Sequence, residues 1–238
     1  MTPKDVVQTS APYVGAAEKA AVARVLDSGY YGCGPEVATF EHELSQYLGN
    51  DIHVVCTASG TAALHLALAA IGVGHGDEVL APSVTFVATF QAVAATGARP
   101  VACDVLEKNL LLDIEDARRR ITQRTRAVIP VHYAGHSGDL DAIYDFARSN
   151  RLRIVEDAAH AFGSRNQGRM IGSFGDVVCF SFDPIKNITA GQGGAVVTRD
   201  PAIAHDVRLR RELGIERDST TRSDDIVVSR LGWRYAMS

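Results

Sequence analysis

The stretch at residues 181–194, SFDPIKNITAGQGG, lies between two short apolar runs at residues 177–180 and 195–197. Apolar runs on either side of a glycine-rich bend are typical of two buried strands joined by a tight turn. Lys186 lies in this bend, and its nearest acidic neighbour in the sequence is Asp183. Partial dehydration at such a turn disfavours the charged form of an amine, and the neutral amine is the form that attacks a carbonyl group. We therefore predict a reactive amine at Lys186; the alternative is a solvated loop lysine, the commoner environment of this residue type.

The alternation of apolar runs and helical patterns extends through most of the chain. The spacing of apolar residues predicts helices at residues 12–28, 36–48, 62–71, 87–96, 113–121, 138–150 and 201–213. Short apolar runs predict further strands at residues 53–56, 78–81, 100–103, 126–131 and 153–155. Strands and helices that alternate at this pace predict an α/β fold with three αβα layers and a mainly parallel central sheet.

The composition is that of a folded protein of moderate size. The 238 residues are 46% hydrophobic and 22% charged, which suits one globular domain with a large core, or one domain and part of a second. The formal net charge of -4 argues against a nucleic-acid partner, because such proteins usually carry a basic excess. We expect no membrane association, since no apolar run approaches the ~20 residues of a span and the polar N-terminus lacks the apolar region of a signal peptide.

The four cysteines, Cys33, Cys56, Cys103 and Cys179, are widely separated. Their spacing matches neither a metal site nor a disulfide framework, and a buried thiol commonly acts as a small hydrophobic residue. We therefore expect a reduced, cytoplasmic protein without a bound metal.

Polar or aromatic groups follow several of the predicted strands, where ligands of open α/β sheets bind. Ser59, Gly60 and Thr61 stand between a strand and a helix, where free backbone N–H groups make an anion site and glycine permits close approach. The alternative is an ordinary serine or threonine helix cap. After the next strand, Phe86 follows Thr85 and is placed to stack on a ligand ring, although a phenylalanine there is more often part of the core.

Asp157 ends another apolar strand, where a carboxylate is costly to bury unless a cation pairs with it. A protonated pyridine nitrogen is such a cation, and holding that proton makes the ring an electron sink. His160 follows three residues later and can reach substituents of the same ring. The alternatives are a helix-capping aspartate and a structural histidine. Together with the anion site and the stacking ring, Asp157 and Lys186 indicate pyridoxal phosphate (PLP), held by Lys186 as a Schiff base.

These stretches resemble the sugar aminotransferases of the DegT/DnrJ/EryC1/StrS family, which have the aspartate-aminotransferase-like fold type I. The resemblance covers nearly the whole chain and is closest to members that act on 4-keto sugar nucleotides. It is carried by GP at 34–35 through FE at 40–41, SGTAAL at 59–64, PSVTFVAT at 82–89, VHYAG at 131–135, EDAAH at 156–160, GSFGD at 172–176, FSF at 180–182 and KNIT at 186–189.

The resemblance implies catalytic roles for three residues. Lys186 is then the Schiff-base lysine and the proton shuttle, and Asp157 pairs with the pyridine nitrogen. His160 lies beside the ring hydroxyl, and Phe86 covers the ring. The implied reaction is ping-pong transfer of an amino group from an amino acid, L-glutamate by the resemblance, to a keto sugar nucleotide.

The resemblance also implies how the phosphate is held and how the subunits assemble. Gly60, Thr61 and Ser181 bind the phosphate within one chain. Arg234 occupies the position from which a family member reaches the phosphate of its partner subunit, so the expected assembly is a homodimer with shared active sites.

The domain limits follow from the same resemblance. Residues 1–30 form an N-terminal segment that packs on a small domain or on the partner, and residues 31–215 form the large PLP-binding domain. Residues 216–238 are a linker and the start of a small C-terminal domain. Because the sequence ends where that domain begins in the family, we interpret it as a fragment or a truncated form.

One departure from the family concerns the cavity itself. Gln192 stands where the family usually has glutamate, which removes a negative charge near Lys186. This change favours an alternative, a homologue that binds PLP but is inactive or regulatory. A related lyase acting on keto-deoxysugars is disfavoured, because the resemblance implies a histidine in that branch at the position where this chain has Lys186.

Overall fold

A seven-stranded sheet forms the centre of the molecule in the computed structural model, which describes residues 10–49, 51–216 and 227–237. The order across the sheet is β1-β9-β8-β5-β4-β2-β3. The strands from β8 to β3 in this order pair in parallel, and β9 is antiparallel to both of its neighbours, β1 and β8. The strands are β1 (His53–Thr57), β2 (Glu78–Pro82), β3 (Arg99–Cys103), β4 (Thr125–Val128), β5 (Arg153–Asp157), β6 (Arg165–Asn166), β7 (Arg169–Met170), β8 (Val177–Ser181), β9 (Gly194–Thr198), β10 (Ile215–Glu216) and β11 (Val227–Val228).

Helices cover both faces of the sheet. They are α1 (Ala16–Ser28), α2 (Pro35–Leu48), α3 (Gly60–Ala70), α4 (Val87–Ala95), α5 (Ile114–Arg120), α6 (Leu140–Ser149) and α7 (Pro201–Arg211), with a short 3₁₀ turn at Tyr133–Gly135. The apolar residues of α3, α4 and α7 form one core with the sheet, and those of α2, α5 and α6 form a second core on the opposite face. The predicted three-layer αβα fold with a mainly parallel sheet is therefore confirmed. Within the described ranges, no helix combines the length and apolar character needed to cross a bilayer.

The connection between β8 and β9 differs from the predicted tight turn. The two strands do pair, but residues 182–193 connect them as a longer loop. Phe182 N donates to Gly193 O at 2.8 Å and Ala190 N donates to Phe182 O at 3.0 Å, so the loop is closed at its base. Closure at the base leaves the polar middle of the loop, including Lys186, beyond the end of β8.

Helix α1 begins at Ala16 rather than at residue 12. Gly15 is the N-cap: its backbone is extended and its N–H donates to Glu18 Oε2 at 2.7 Å, so the helix begins at the next residue. Residues 1–9 of the predicted N-terminal segment lie outside the described residues. So do residues 217–226 of the predicted linker, whose described ends pair as β10 and β11.

Residues 227–237, here called the C-terminal segment, pack back onto α7 and onto the turn before α3. Trp233 N donates to Arg210 O at 2.6 Å near the end of α7. Tyr235 O accepts a hydrogen bond of 2.8 Å from Ala58 N, in the turn between β1 and α3. The segment therefore ties α7 to the turn that leads into α3.

His65 of α3 lies under the aromatic rings of the C-terminal segment. Its ring centroid is 4.4 Å from that of Trp233 and 5.8 Å from that of Tyr235. The residue is 3% exposed, and burial lowers the pKa of His65. A neutral imidazole is thus packed between the helix and the segment.

We expect Trp233→Ala to lower the free energy of unfolding by about 2–3 kcal/mol, because the ring contact with His65 and the buried aromatic area are lost. Leu231→Ala is the matched control: Leu231 is 73% exposed, and its replacement should change stability by less than about 0.5 kcal/mol. Urea unfolding followed by circular dichroism measures both. Equal losses for the two variants would contradict a specific role for the Trp233 ring.

We also expect the protein to lose stability as the pH falls below about 6.5, the ordinary histidine value. The folded-state pKa of His65 is lower than its unfolded value, so between the two values the unfolded chain binds more protons and acid favours unfolding. Replacing the side chain by His65→Gln should reduce the slope of stability against pH, whereas His75→Gln, at an exposed histidine, should leave it unchanged. A slope that is the same in all three proteins would exclude His65 as its source.

Candidate active site

A cavity of about 550 Å³ opens at the carboxyl ends of β1, β2, β4, β5 and β8. The carboxyl ends of parallel strands lie along one edge of the sheet, which is where α/β proteins bind ligands. Its walls are the residues that follow these strands, together with the loop at 182–193: Ser59, Gly60, Thr61, Leu64, Ser83, Val84, Thr85, Phe86, Ala88, Val131, His132, Tyr133, Asp157, Ala159, His160, Ser181, Asp183, Ile185, Lys186, Gln192 and Gly193. Every predicted site residue except Arg234 is among them.

The turn after β1 and the end of β8 form a cradle of small residues on one wall. Ser59 caps α3, because its side chain accepts a hydrogen bond from Ala62 N at 3.1 Å. The N–H groups of Gly60 and Thr61 lie in the first helical turn, where no intrahelical acceptor exists, at the positive end of the helix. A Cβ atom on Gly60 would lie 2.8 Å from Ser181 Cβ, so glycine is required for this approach. The cradle suits a phosphate group.

Asp157 lies on another wall and is 6% exposed. Its Oδ2 accepts a hydrogen bond of 2.7 Å from Thr89 Oγ1, which is itself 2.7 Å from Thr85 Oγ1, and its Oδ1 accepts from Ala159 N at 3.2 Å. Both carboxylate oxygens are thus held in place. Among the described residues no lysine or arginine forms an ion pair with Asp157, so its hydrogen bonds orient the carboxylate without supplying a positive charge.

Lys186 brings an amine to the same cavity from the loop between β8 and β9. The sequence contains four lysines, at positions 4, 19, 108 and 186, and of the three that the structure describes Lys186 is the one that lines the cavity. His160 lies nearby: burial and, to a smaller extent, the charge of Lys186 lower the pKa of its imidazole. A neutral imidazole and a primary amine therefore face the same space.

The mouth of the cavity carries exposed apolar side chains. Phe86 caps the N-terminus of α4 and is 73% exposed, which excludes the alternative of a core phenylalanine. Tyr133 and Ile185 are 40% and 59% exposed, and the ring of Tyr133 is 6.3 Å from that of His160, centroid to centroid. A flat ring bound in the cavity has aromatic and apolar neighbours at this edge.

Two further residues singled out in the sequence, Gln192 and Arg234, differ in their relation to the cavity. Gln192 lines the cavity. Arg234 is exposed at the surface, pairs with Glu212 in an isolated β-bridge, and does not line the cavity of its own chain.

Three residues of the site had no predicted role. Thr89 donates a hydrogen bond to Asp157, which lies 68 positions away in the sequence. The available signal was its spacing of four residues from Thr85, which lies just before the N-cap of α4. His132 and Tyr133 follow β4 and line the cavity. Their position after an apolar run was visible, but no pattern indicated which of the side chains there would point inward.

A comparison with curated proteins finds a relative of known activity. The dTDP-3-amino-3,4,6-trideoxy-alpha-D-glucose transaminase of Streptomyces venezuelae is 50% identical over 196 residues, which cover 82% of this chain and 52% of the relative. The chain thus spans about half the length of that relative.

Solved structures give the same picture of the fold. The crystal structure of DesV from S. venezuelae matches with a TM-score of 0.83 and 43% identity, over 94% of this chain and 61% of DesV. The aminotransferase TlmJ from Streptoalloteichus hindustanus matches with a TM-score of 0.89 and 38% identity, over 98% of this chain and 62% of TlmJ. Spr1654 from Streptococcus pneumoniae in its PLP-form matches with a TM-score of 0.90 and 29% identity, over 98% and 63% of the two chains.

The family assignment follows from a match that spans almost the whole chain. The sequence model of the DegT/DnrJ/EryC1/StrS aminotransferase family matches residues 12–238. That range includes the cradle, the buried aspartate and the cavity lysine described above. The protein therefore belongs to the DegT/DnrJ/EryC1/StrS aminotransferase family.

Proposed function

We propose that this protein is a PLP-dependent aminotransferase that moves an amino group from L-glutamate to a keto sugar nucleotide. The observation that carries the proposal is the presence of three groups in one cavity: the amine of Lys186, the carboxylate of Asp157 and the cradle formed by Gly60 and Ser181. Membership of the family and the transaminase named among its relatives support the same reaction.

The residues of the cavity fit the cofactor at three separate points. The cradle suits the phosphate, because Gly60 leaves room for close approach and the start of α3 presents N–H groups. Asp157 is buried without an ion-pairing lysine or arginine among the described residues, which suits the protonated ring nitrogen of PLP. Lys186 is a primary amine, which suits the aldehyde.

When bound, PLP supplies an aldehyde that joins covalently to amines and a ring that accepts electron pairs. Asp157 holds a proton on the ring nitrogen, and its bonds to Thr89 and to Ala159 N keep the carboxylate oriented. Lys186 would remove a proton from the substrate carbon that carries the amino group and return one during the second half of the cycle. His160 is neutral and contributes a hydrogen bond beside the ring rather than a charge.

The assembly that we propose is a homodimer with shared active sites. Phe86 and Ile185 are large apolar side chains exposed at the mouth of the cavity, and a partner subunit would cover them. Arg234 lies at the surface, outside the cavity of its own chain, which is compatible with a contact to the phosphate in the partner.

The size of the cavity, about 550 Å³, lies within the range of about 300–1,000 Å³ that is usual for small-molecule sites.

The remaining parts of the chain enter the proposal as follows. Helix α1 has no buried residue, which supports packing of residues 1–30 on the partner or on a further small domain. In this proposal residues 31–215 form the large PLP-binding domain, and residues 216–238 are a linker and the start of a small C-terminal domain. The four cysteines are free thiols, which supports a location in the reducing cytoplasm.

A second candidate is a family member that binds PLP without transferring amino groups. Gln192 in the cavity wall favours it, because an amide replaces a negative charge near Lys186. Amino transfer from L-glutamate to any keto sugar nucleotide, measured with the purified protein, would exclude this candidate.

We expect Lys186→Ala to abolish covalent attachment of PLP and to reduce amino transfer by at least about 10²–10⁴-fold, because the variant lacks both the attaching amine and the proton carrier. Borohydride reduction followed by peptide mass spectrometry should find the cofactor on Lys186 of the unaltered protein. Lys108→Ala, at an exposed lysine away from the cavity, is the control and should keep the attachment. Cofactor bound covalently to the Lys186→Ala protein would refute the proposal.

We expect Gly60→Ala to weaken PLP binding by about tenfold or more, or about 1.4 kcal/mol. The added methyl group meets Ser181 at 2.8 Å and forces the two sides of the cradle apart. Gly32→Ala is the matched control, since no atom lies within 4 Å of its added Cβ. Fluorescence titration with PLP measures both. Unchanged affinity in Gly60→Ala would show that the phosphate lies elsewhere.

A further inference from the structure

A buried chain of three polar side chains lies behind the wall of the cavity. Tyr144 of α6 donates its hydroxyl proton to Glu156 Oε1, and Glu156 Oε2 lies 2.7 Å from Nε2 of His132. Glu156 and His132 are each 1% exposed. None of these three residues has a part in the reaction proposed above.

The hydrogen bonds decide which nitrogen of His132 carries a proton. Burial, followed by the negative charge of Glu156, raises the pKa of Tyr144, so its phenol remains protonated and acts as a donor. A carboxylate offers acceptor atoms to both of its neighbours, so we assign the proton between Glu156 and His132 to Nε2 of the imidazole. In the neutral imidazole, Nδ1 is then an acceptor with a lone pair.

Nδ1 of His132 is buried and has no hydrogen-bond partner among the described residues. Buried polar atoms nearly always have a partner, either in the protein or in a bound molecule. The backbone of His132 is already engaged, since its N–H donates to Asp157 O at 3.0 Å. His132 is also one of the residues that line the cavity. Nδ1 itself is enclosed in the ligand-free structure, so a donor from a molecule bound in the cavity reaches it through a small shift of the ring.

We propose that Nδ1 of His132 accepts a hydrogen bond from an N–H or O–H group of the molecule bound in the cavity, and that Glu156 and Tyr144 are positioning residues that hold the imidazole for it. This inference rests on the proposed function and extends it by one substrate-facing contact. Two sources share the required chemistry: a hydroxyl of PLP and the amino group of the amino acid donor. Removing the acceptor would leave the donor of the ligand unpaired in a buried site, which is more costly than losing an exposed hydrogen bond.

Two substitutions at His132 separate this role from a purely structural one. An asparagine side chain places a polar atom where Nδ1 was, but it is too short to reach Glu156. A glutamine side chain reaches the position of Nε2 and keeps the bond to Glu156, but it has no polar atom at the position of Nδ1. His132→Asn therefore retains a polar atom at the position of Nδ1, and His132→Gln retains one at the position of Nε2.

We compare both variants with the unaltered protein in two measurements, of PLP affinity and of reaction rate. In one of the two we expect His132→Gln to be weaker or slower by at least about tenfold, and in that measurement His132→Asn should differ by no more than about threefold. The first is the dissociation constant of PLP, and the second is the rate constant of the holoenzyme's half-reaction with L-glutamate. A loss in the first identifies the cofactor as the donor, and a loss in the second alone identifies the amino acid. The reverse order, with Gln tolerated and Asn impaired in both, would overturn the proposal, because it is the order expected if His132 only supports Glu156. Equal effects would overturn it as well.

A spectroscopic measurement tests the tautomer without any catalysis. In protein labelled with ¹⁵N-histidine, the resonances of His132, identified by their absence in His132→Gln, should show a proton on Nε2 and none on Nδ1 at neutral pH. The Nδ1 resonance should shift on saturation with PLP or, in the holoenzyme, with L-glutamate. A proton on Nδ1 in the free protein, or a resonance that neither addition moves, would refute the proposal.

The outcomes also separate this inference from the proposed function. If the unaltered protein fails to attach PLP at Lys186, the proposed function is wrong, and the ligand assigned to His132 is then wrong as well. If PLP is attached but the two His132 variants behave alike, only the inference about His132 is wrong. Urea unfolding of both variants shows whether each retains the fold in which the comparison is valid.

Discussion

The burial of the Asp157 carboxylate is the constraint on which the rest of the site depends. A carboxylate that is 6% exposed is stable in its charged form only when hydrogen bonds and a positive charge compensate the water that it has lost. Thr89 and the backbone of Ala159 supply the hydrogen bonds. Within the described part of the chain no lysine or arginine forms an ion pair with Asp157, and in the proposed function the protonated ring nitrogen of PLP would supply the compensating charge. This requirement favours a cationic ring over a neutral or anionic one at this position.

The sheet topology explains how the cradle of small residues comes together in the same cavity. Strands β1 and β8 are not neighbours, because the antiparallel strand β9 lies between them. The turn after β1 nevertheless reaches the end of β8, since glycines stand where side chains would collide. A Cβ on Gly194 of β9 would lie 2.5 Å from the carbonyl carbon of Ser59, and a Cβ on Gly60 would lie 2.8 Å from Ser181. Two positions without side chains thus allow the ends of three strands to approach closely, as the proposed phosphate site requires.

The sequence indicated the layers and the approximate positions of the strands because both depend on local patterns, although the strand predicted at residues 126–131 ends at Val128. Alternating apolar runs and helical spacings predict a parallel sheet, and the ends of its strands predict where Gly60, Asp157 and Ser181 lie. The loop at 182–193 was expected to be a tight turn, because glycine content alone does not reveal how far a chain travels before it pairs again. The partners of Asp157 and Glu156 could not be predicted, since Thr89 and His132 are distant in sequence and their contacts depend on how the strands are ordered in the sheet.

Two consecutive carboxylates at the end of β5, Glu156 and Asp157, differ in how far the fold itself satisfies them. Successive residues of a strand point to opposite faces, so Glu156 faces Tyr144 of α6 whereas Asp157 faces Thr89 of α4. Glu156 receives hydrogen bonds from a phenol and an imidazole on its own side and is complete within the fold. Asp157 has only a hydroxyl and an amide, and it opens on the cavity. The pleat of β5 therefore places Glu156 among hydrogen-bond donors of the fold. It leaves Asp157 facing the cavity, where a bound molecule can form the remaining contacts.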